Sequence, residues 1–181
     1  MLKVSNGRDV QFLAAMALAV AGDAAKTQAL VADFSKRFPE DTIVRYVYIP
    51  TLRGQLAVDR RDPPKAIEEL QIGAQYELGQ VISGVVTAAL YPVYVRGGSY
   101  LALKQGKEAA TEYQKIIDHR GAVLNGPIGA LAHLGLGRAY ALAGDSARAR
   151  TAYQDFLALW KDADADIPIL RQAKSEYATV K

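Results

Sequence analysis

Three aspartates at alternate positions are the residues of this chain whose spacing most suggests chemistry. Asp162, Asp164 and Asp166 lie between two predicted helices, and oxygen ligands at every second position begin the loop of a helix–loop–helix calcium site. Ile167, however, stands where that loop needs glycine for its sharp turn, and Ala173 stands where it needs a bidentate glutamate. We therefore expect a solvated connection with Asp166 as a helix cap, and we predict no metal site and no cofactor.

The two histidines do not form a catalytic pair in the sequence. His119 lies at a predicted helix end, where with Arg120 it complements the negative pole of the helix dipole, and His133 lies on an apolar helix face. Neither has a spaced partner for a metal site or for activating a nucleophile. GDAAKT at residues 22–27 lacks the Gly-Lys-Ser/Thr ending of a phosphate-binding loop. We therefore predict that the chain is not an enzyme.

The balance of charges argues against a strong polyanion partner. The 181 residues carry 22 Lys and Arg against 19 Asp and Glu, a net charge of +3, and the two signs are interspersed. Nucleic-acid binding has only a pI near 9.0 and the neighbouring Arg148 and Arg150 in its favour, so we do not expect it. A hydrophobic fraction of 50% is enough for one continuous core, and the absence of cysteine excludes disulfides.

An apolar run near the start of the chain has two interpretations. Residues 12–21, FLAAMALAVA, follow Lys3 and Arg8 and end in small residues, as the core of a signal peptide would. The AGD at residues 21–23 also occurs at residues 143–145, which favours the first helix of a repeated structure. The run is too short to span a bilayer, so we predict no membrane span in this chain. We expect a cytoplasmic protein, or a soluble region of a larger membrane-anchored one.

The chain repeats itself with a period of 40 residues. Residues 95–114, VRGGSYLALKQGKEAATEYQ, recur at residues 136–154 as LGRAYALAGDSARARTAYQ. The shared positions are Gly97 with Gly137, Tyr100 with Tyr140, Ala109 with Ala149, and Tyr113 with Tyr153. A fixed period of this size predicts stacked pairs of helices, each of which buries its apolar face against its neighbours.

Helical periodicity and stop signals divide the chain into paired helices with no strand pattern. We predict helices at residues 8–21, 24–37, 42–59, 63–75, 89–104, 107–119, 127–143, 146–161 and 167–179. Short turns within each pair make its two helices antiparallel. A single domain, residues 1–181, then contains four units and a C-terminal capping helix: residues 8–41, 42–78, 89–121, 127–161 and 167–179.

The fourth unit resembles a tetratricopeptide repeat (TPR), whose pattern is W-x2-L-G-x2-Y, then A-x3-F, then P. The matching residues are Leu136, Gly137, Tyr140, Ala149 and Tyr153. The third unit has the same glycine, tyrosines and alanine but Arg96 in place of the leucine, the second has Gly54 and Ala66, and the first has Pro39. The resemblance implies an all-α fold, a right-handed α-solenoid of four TPR-like helix pairs.

Longer phrases resemble the C-terminal repeat region of large bacterial serine/threonine protein kinases of the eukaryotic-like type. They include SNGRDVQFLAAMALAVAGD, LYPVYVRGGSYLAL, GPIGALAHLGLGRAYALAGD and YQDFLALWKDADADIPIL. The kinase motifs themselves are absent from the sequence, which has no H-R-D-L-x-x-x-N, no D-F-G and no glycine-rich loop on a strand. The resemblance implies a regulatory module of a signalling kinase.

The first helix of each unit lines the concave face of such an array, so the partner-binding residues are expected there. The repeat register gives an aromatic lining with one guanidinium, a composition suited to binding a peptide or protein segment. The ten positions are Phe12, Met16, Tyr48, Thr51, Gln55, Tyr91, Tyr94, Leu131, Leu134 and Arg138. The alternative function is self-assembly into a homodimer through incompletely capped terminal helices.

Overall fold

The protein is described by a computed structural model that covers residues 5–79, 90–124 and 126–180. Within those ranges every regular element is helical and no strand occurs, which confirms the all-α prediction. The α-helices are α1 (Arg8–Val20), α2 (Ala24–Arg37), α3 (Ile49–Asp59), α4 (Pro63–Gln71), α5 (Tyr91–Ala102), α6 (Gly106–Asp118), α7 (Arg120–Val123), α8 (Pro127–Leu142), α9 (Ser146–Leu159) and α10 (Pro168–Thr179). The predicted start of α5 at residue 89 lies outside the described residues.

The helices pack in neighbouring pairs. Helix α1 pairs with α2, α3 with α4, α5 with α6, and α8 with α9, while α10 packs on α9. The first helices of successive pairs also contact one another, in the order α1, α3, α5 and α8, and each second helix contacts the first helix of the next pair. Three successive apolar clusters fill the space between the pairs.

The turns inside the four pairs share one backbone geometry. In each turn the residue before the second helix's N-cap has a positive φ: Gly22 (80°), Arg61 (59°), Lys104 (61°) and Gly144 (80°). The N-cap amide then donates to a carbonyl five residues back, as in Asp23 N to Leu18 O and Asp145 N to Tyr140 O, both 2.9 Å. This shared turn marks α1 and α2 as a unit of the same kind as the later pairs.

A small residue in the first helix of each pair allows the second helix to approach closely. Counting back eight positions from the four N-caps gives Ala15, Gly54, Gly97 and Gly137. A Cβ on Gly97 would lie 2.9 Å from the ring of Tyr113, and one on Gly137 would lie 2.8 Å from the ring of Tyr153. At Gly54 the neighbour is Leu70, 2.6 Å away. The glycines therefore have the packing role that the sequence repeat suggests.

One irregularity interrupts the predicted helix at residues 42–59. Residues Val44–Tyr48 form a π-helical turn that runs directly into α3. Pro50 cannot donate to the carbonyl of Tyr46 four residues earlier, and its ring crowds that carbonyl in a regular α-helix. The wider turn relieves this conflict, and the Tyr46 carbonyl approaches Gly73, where any side chain would overlap it.

Candidate functional site

Half of the ten residues predicted to contact a partner belong to the core in this structure. The buried ones are Phe12, Met16, Tyr48, Thr51 and Leu134. The ring of Phe12 stacks on that of Tyr48, with centroids 3.8 Å apart, and the Tyr48 hydroxyl donates to Asp9 at 2.9 Å. Thr51 donates to the Val47 carbonyl at 2.5 Å, inside the π-helical turn. These side chains therefore hold helices together, which their periodicity alone does not distinguish from a lining role.

The other five, Gln55, Tyr91, Tyr94, Leu131 and Arg138, are partly exposed. Gln55 donates to Asp59 of its own helix, at 3.0 Å. The other four lie on α5 and α8, two adjacent first helices. We call Tyr91, Tyr94, Leu131 and Arg138 the first-helix face.

An apolar cavity of about 450 Å³ lies between α1 and this face. Phe12 and Met16 contribute to its lining from α1, and Tyr91 contributes from α5, so three of the ten predicted residues meet at one cavity. The remaining lining residues are Leu13, Ala17, Val20 and Ala21, none of which is charged. The cavity can therefore take an apolar side chain, with the Tyr91 ring as one wall.

Tyr94 continues the face toward α8. Its ring meets that of Tyr113 edge-on, with centroids 5.9 Å apart and planes inclined by 69°. Burial raises the pKa of Tyr94, and the nearby positive charge of Arg138 opposes that rise. The phenol therefore stays neutral at physiological pH, and the half-exposed ring can offer both an apolar surface and a hydroxyl.

Arg138, the predicted guanidinium, already has a partner inside the chain. Its Nε and one terminal nitrogen donate to the two carboxylate oxygens of Glu176 on α10, at 2.8 and 3.0 Å. The hydroxyl of Tyr153 donates to the same carboxylate at 3.1 Å. Burial is the largest single influence and lowers the pKa of Arg138, but the hydrogen bond to Glu176 and the charge of that carboxylate together outweigh it, so the net shift is upward. Glu176 is not predictable from the sequence, because nothing in the repeat pattern points to α10.

A second polar cluster is buried where the repeat pattern has leucine. Arg96 donates to both oxygens of Glu112, at 2.9 and 2.6 Å, and to Glu77 at 2.5 Å. Lys115 donates to the other oxygen of Glu77, also at 2.5 Å. The side chain of Glu77 is only 1% exposed, and these two cations are its ion-pair partners in that buried position. The cluster fastens the segment after α4 to α5 and α6.

A larger cleft, about 1000 Å³, opens between α6 and the turn joining α8 to α9. Tyr140 and Arg148 form part of it, with the guanidinium 4.6 Å from the ring centroid. Two of its cations are paired: Arg148 donates to Asp145 at 2.5 Å, and Lys115 donates to Glu77. It contains none of the ten predicted residues, and we use it below as the comparison surface.

The residues considered for metal chemistry do not assemble. Among the described residues, no group of three or more His, Asp or Glu side chains is placed to hold a metal ion. His133 faces Asp155 at 3.6 Å, and burial lowers its pKa despite that neighbour. The Nδ1 of His119 donates to the Lys115 carbonyl at 2.9 Å, as expected for a helix end.

None of the helices in the described ranges combines the length and apolar character needed to cross a bilayer. No protein-family model, no curated protein and no solved structure matches this chain.

Proposed function

We propose that this protein is a non-catalytic scaffold that binds a segment of another protein across its first-helix face. In this proposal the four pairs form an open, right-handed TPR-like superhelix with α10 as its cap. The observation that carries the proposal is the apolar cavity between α1 and Tyr91, because it joins residues predicted independently from two different units. Successive contacts between first helices support the side-by-side arrangement that such a face requires.

The chemistry of the face favours a partner with an apolar anchor. An uncharged cavity of this size accommodates a leucine or phenylalanine side chain, whose burial contributes about 1.5–3 kcal/mol. Tyr91 and Tyr94 extend the contact with large rings that lose little conformational freedom on binding. The partner is therefore a protein or peptide segment with an apolar residue as its anchor. A role as the regulatory module of a bacterial signalling kinase is proposed on the sequence resemblance alone.

The proposal is tested by selecting peptides that bind the wild-type protein from a displayed library and measuring their affinity for two variants. Tyr94→Ala should weaken binding about tenfold or more, because a central aromatic contact is typically worth at least 1.4 kcal/mol. Tyr140→Ala removes a partly exposed tyrosine from the comparison cleft and should leave affinity unchanged. Peptides that bind both variants as tightly as wild type would refute the site.

Arg138→Ala is unsuitable for this purpose, since it would leave Glu176 unpaired and disturb α10. Tyr94 has no hydrogen bond to another helix in the described part of the chain, so its replacement is the cleaner test.

Self-assembly stays the alternative function. Val20 at the end of α1 is 70% exposed and Leu159 at the end of α9 is 61% exposed, so each terminal pair presents an apolar side chain. Light scattering separates the two functions. A dimer that persists in Tyr94→Ala but is lost in Leu159→Asp, which lies outside the cavity lining, would favour assembly.

A further inference from the structure

Helix α10 lies on α8 and α9 as a ligand lies in a groove. Only Leu170 and Ala173 of this helix are buried, and they pack against Leu134, Tyr153 and Phe156. Together with Glu176 and Tyr177 they form one stripe at helical spacing, and the rest of α10 is largely exposed. This is how an amphipathic helix is recognised by a hydrophobic groove.

Hydrogen bonds also fix the orientation of α10 in this groove. Three donors converge on the Glu176 carboxylate: two from Arg138 and one from Tyr153. Gln154 also donates to the hydroxyl of Tyr177 at 2.8 Å. A bidentate guanidinium–carboxylate pair selects for geometry as well as charge. The third unit has Gly98 at the position equivalent to Arg138, so it lacks the guanidinium that binds Glu176 in the fourth unit.

Two of the residues predicted to bind a partner, Leu131 and Leu134, pack in the same cluster beneath α10, and Arg138 holds its carboxylate. These residues were predicted to contact a partner, and in the structure they contact a helix of their own chain. Five of the eight residues that join α9 to α10, residues 160–167, are exposed, so the connection allows the helix to leave the groove.

We propose that the groove formed by Leu134, Arg138, Tyr153 and Phe156 is an acceptor site for an amphipathic helix that presents a glutamate to Arg138, and that α10 is its exchangeable in-chain occupant. The partner helix would carry an apolar residue, a small residue three positions later and a glutamate three positions after that, as Leu170, Ala173 and Glu176 do. Release of α10 then opens the site. The inference rests on the proposed scaffold function and gives it a second, regulated binding surface.

The test uses the full-length protein and a fluorescein-labelled peptide with the sequence of residues 166–180, followed by fluorescence anisotropy. Leu170→Asp places a charge in the apolar groove and should release α10, so this variant should bind the peptide at least tenfold more tightly than wild type. Gln172→Asp adds the same charge on the exposed side of α10 and should bind as wild type does. A peptide carrying Glu176→Gln should bind the released protein about tenfold more weakly than the unmodified peptide.

A second variant guards against loss of folding. Glu176→Gln in the full chain keeps the apolar contacts of α10 but weakens its attachment to Arg138, and it should also increase binding of the unmodified peptide relative to Gln172→Asp. Circular dichroism checks that the other helices remain. Equal binding of the peptide to all four proteins would overturn the inference. Such a result would leave the role of Tyr94 to be decided by the display experiment, so the two proposals can fail separately.

Discussion

Replacing Gly135 by alanine tests the packing of the repeat most sharply, because the effect of alanine on an isolated helix is known. In a helix interior, alanine is about 1 kcal/mol more favourable than glycine. A Cβ at Gly135 of α8, however, would lie 2.5–2.6 Å from three ring atoms of Tyr113. That ring is buried, and α5 also lies close to it: a Cβ on Gly97 would be 2.9 Å from the same ring. The ring therefore has no room to retreat.

The gain in helix propensity and the cost of overpacking oppose each other, and the structure indicates that the cost is larger. Overpacking a closed site costs about 1–3 kcal/mol, and confinement of Tyr113 on both sides puts Gly135→Ala toward the upper end. We expect Gly135→Ala to lower the free energy of unfolding by about 1–2 kcal/mol after the gain in helix propensity. Gly98→Ala is the matched control, since its Cβ would meet only the Tyr113 hydroxyl at 3.7 Å. It should raise the free energy of unfolding by up to about 1 kcal/mol.

Urea unfolding and thermal melting measure both variants, and 1 kcal/mol corresponds to about 2–4 °C in a chain of this length. Tyr113→Leu should remove most of the cost of Gly135→Ala, because the two residues share one contact. If Gly135→Ala stabilises the protein as Gly98→Ala does, the close approach of α8 to Tyr113 is wrong and the packing account fails with it.

Two further predictions concern charged residues. Arg96→Leu, which restores the leucine of the repeat pattern, should lower the free energy of unfolding in urea by about 3–5 kcal/mol because Glu77 loses a buried partner, and adding Glu77→Met should recover most of the loss. The hydrogen bond from Arg8 lowers the pKa of Asp9 in the folded protein. The stability it contributes is therefore present above the unfolded pKa of about 3.9 and is lost as the pH falls through the lower, folded value. Urea midpoints measured from pH 6 to pH 2.5 should fall less steeply in Arg8→Met than in wild type, whereas parallel profiles would contradict the coupling.

The sequence predicted the paired helices and the last helix, because the signals that end and begin them are local, but it did not predict the short α7 and placed the end of α4 at residue 75 rather than Gln71. Asp23, Asp62 and Asp145 each accept a hydrogen bond from the backbone three residues later, at 3.0–3.1 Å, as their positions before apolar runs predict. The first pair carries the same turn, but its small residue is Ala15 rather than glycine. The glycine pattern therefore does not show that this pair resembles the later ones, whereas the position eight residues before the N-cap does.

The site was harder to predict, because a helical register indicates the face on which a residue lies but not whether neighbouring helices bury it. Phe12 and Thr51 do lie on first helices as expected, yet neighbouring helices cover them. Glu77 and Glu176 are polar residues outside the repeat pattern, and only the three-dimensional arrangement pairs them with Arg96 and Arg138. Contacts of this kind join residues 19 and 38 positions apart, where no local spacing rule applies.

The position of a bound partner is tested most directly by nuclear magnetic resonance of the ten tyrosines, labelled with carbon-13 in the ring. Single Tyr→Phe variants assign the signals, and a peptide selected on the wild-type protein is then added. The account predicts that the resonances of Tyr91 and Tyr94 shift or broaden while that of Tyr140 stays unchanged. Changes confined to Tyr140, in the comparison cleft, would contradict the proposal that the first-helix face binds the partner.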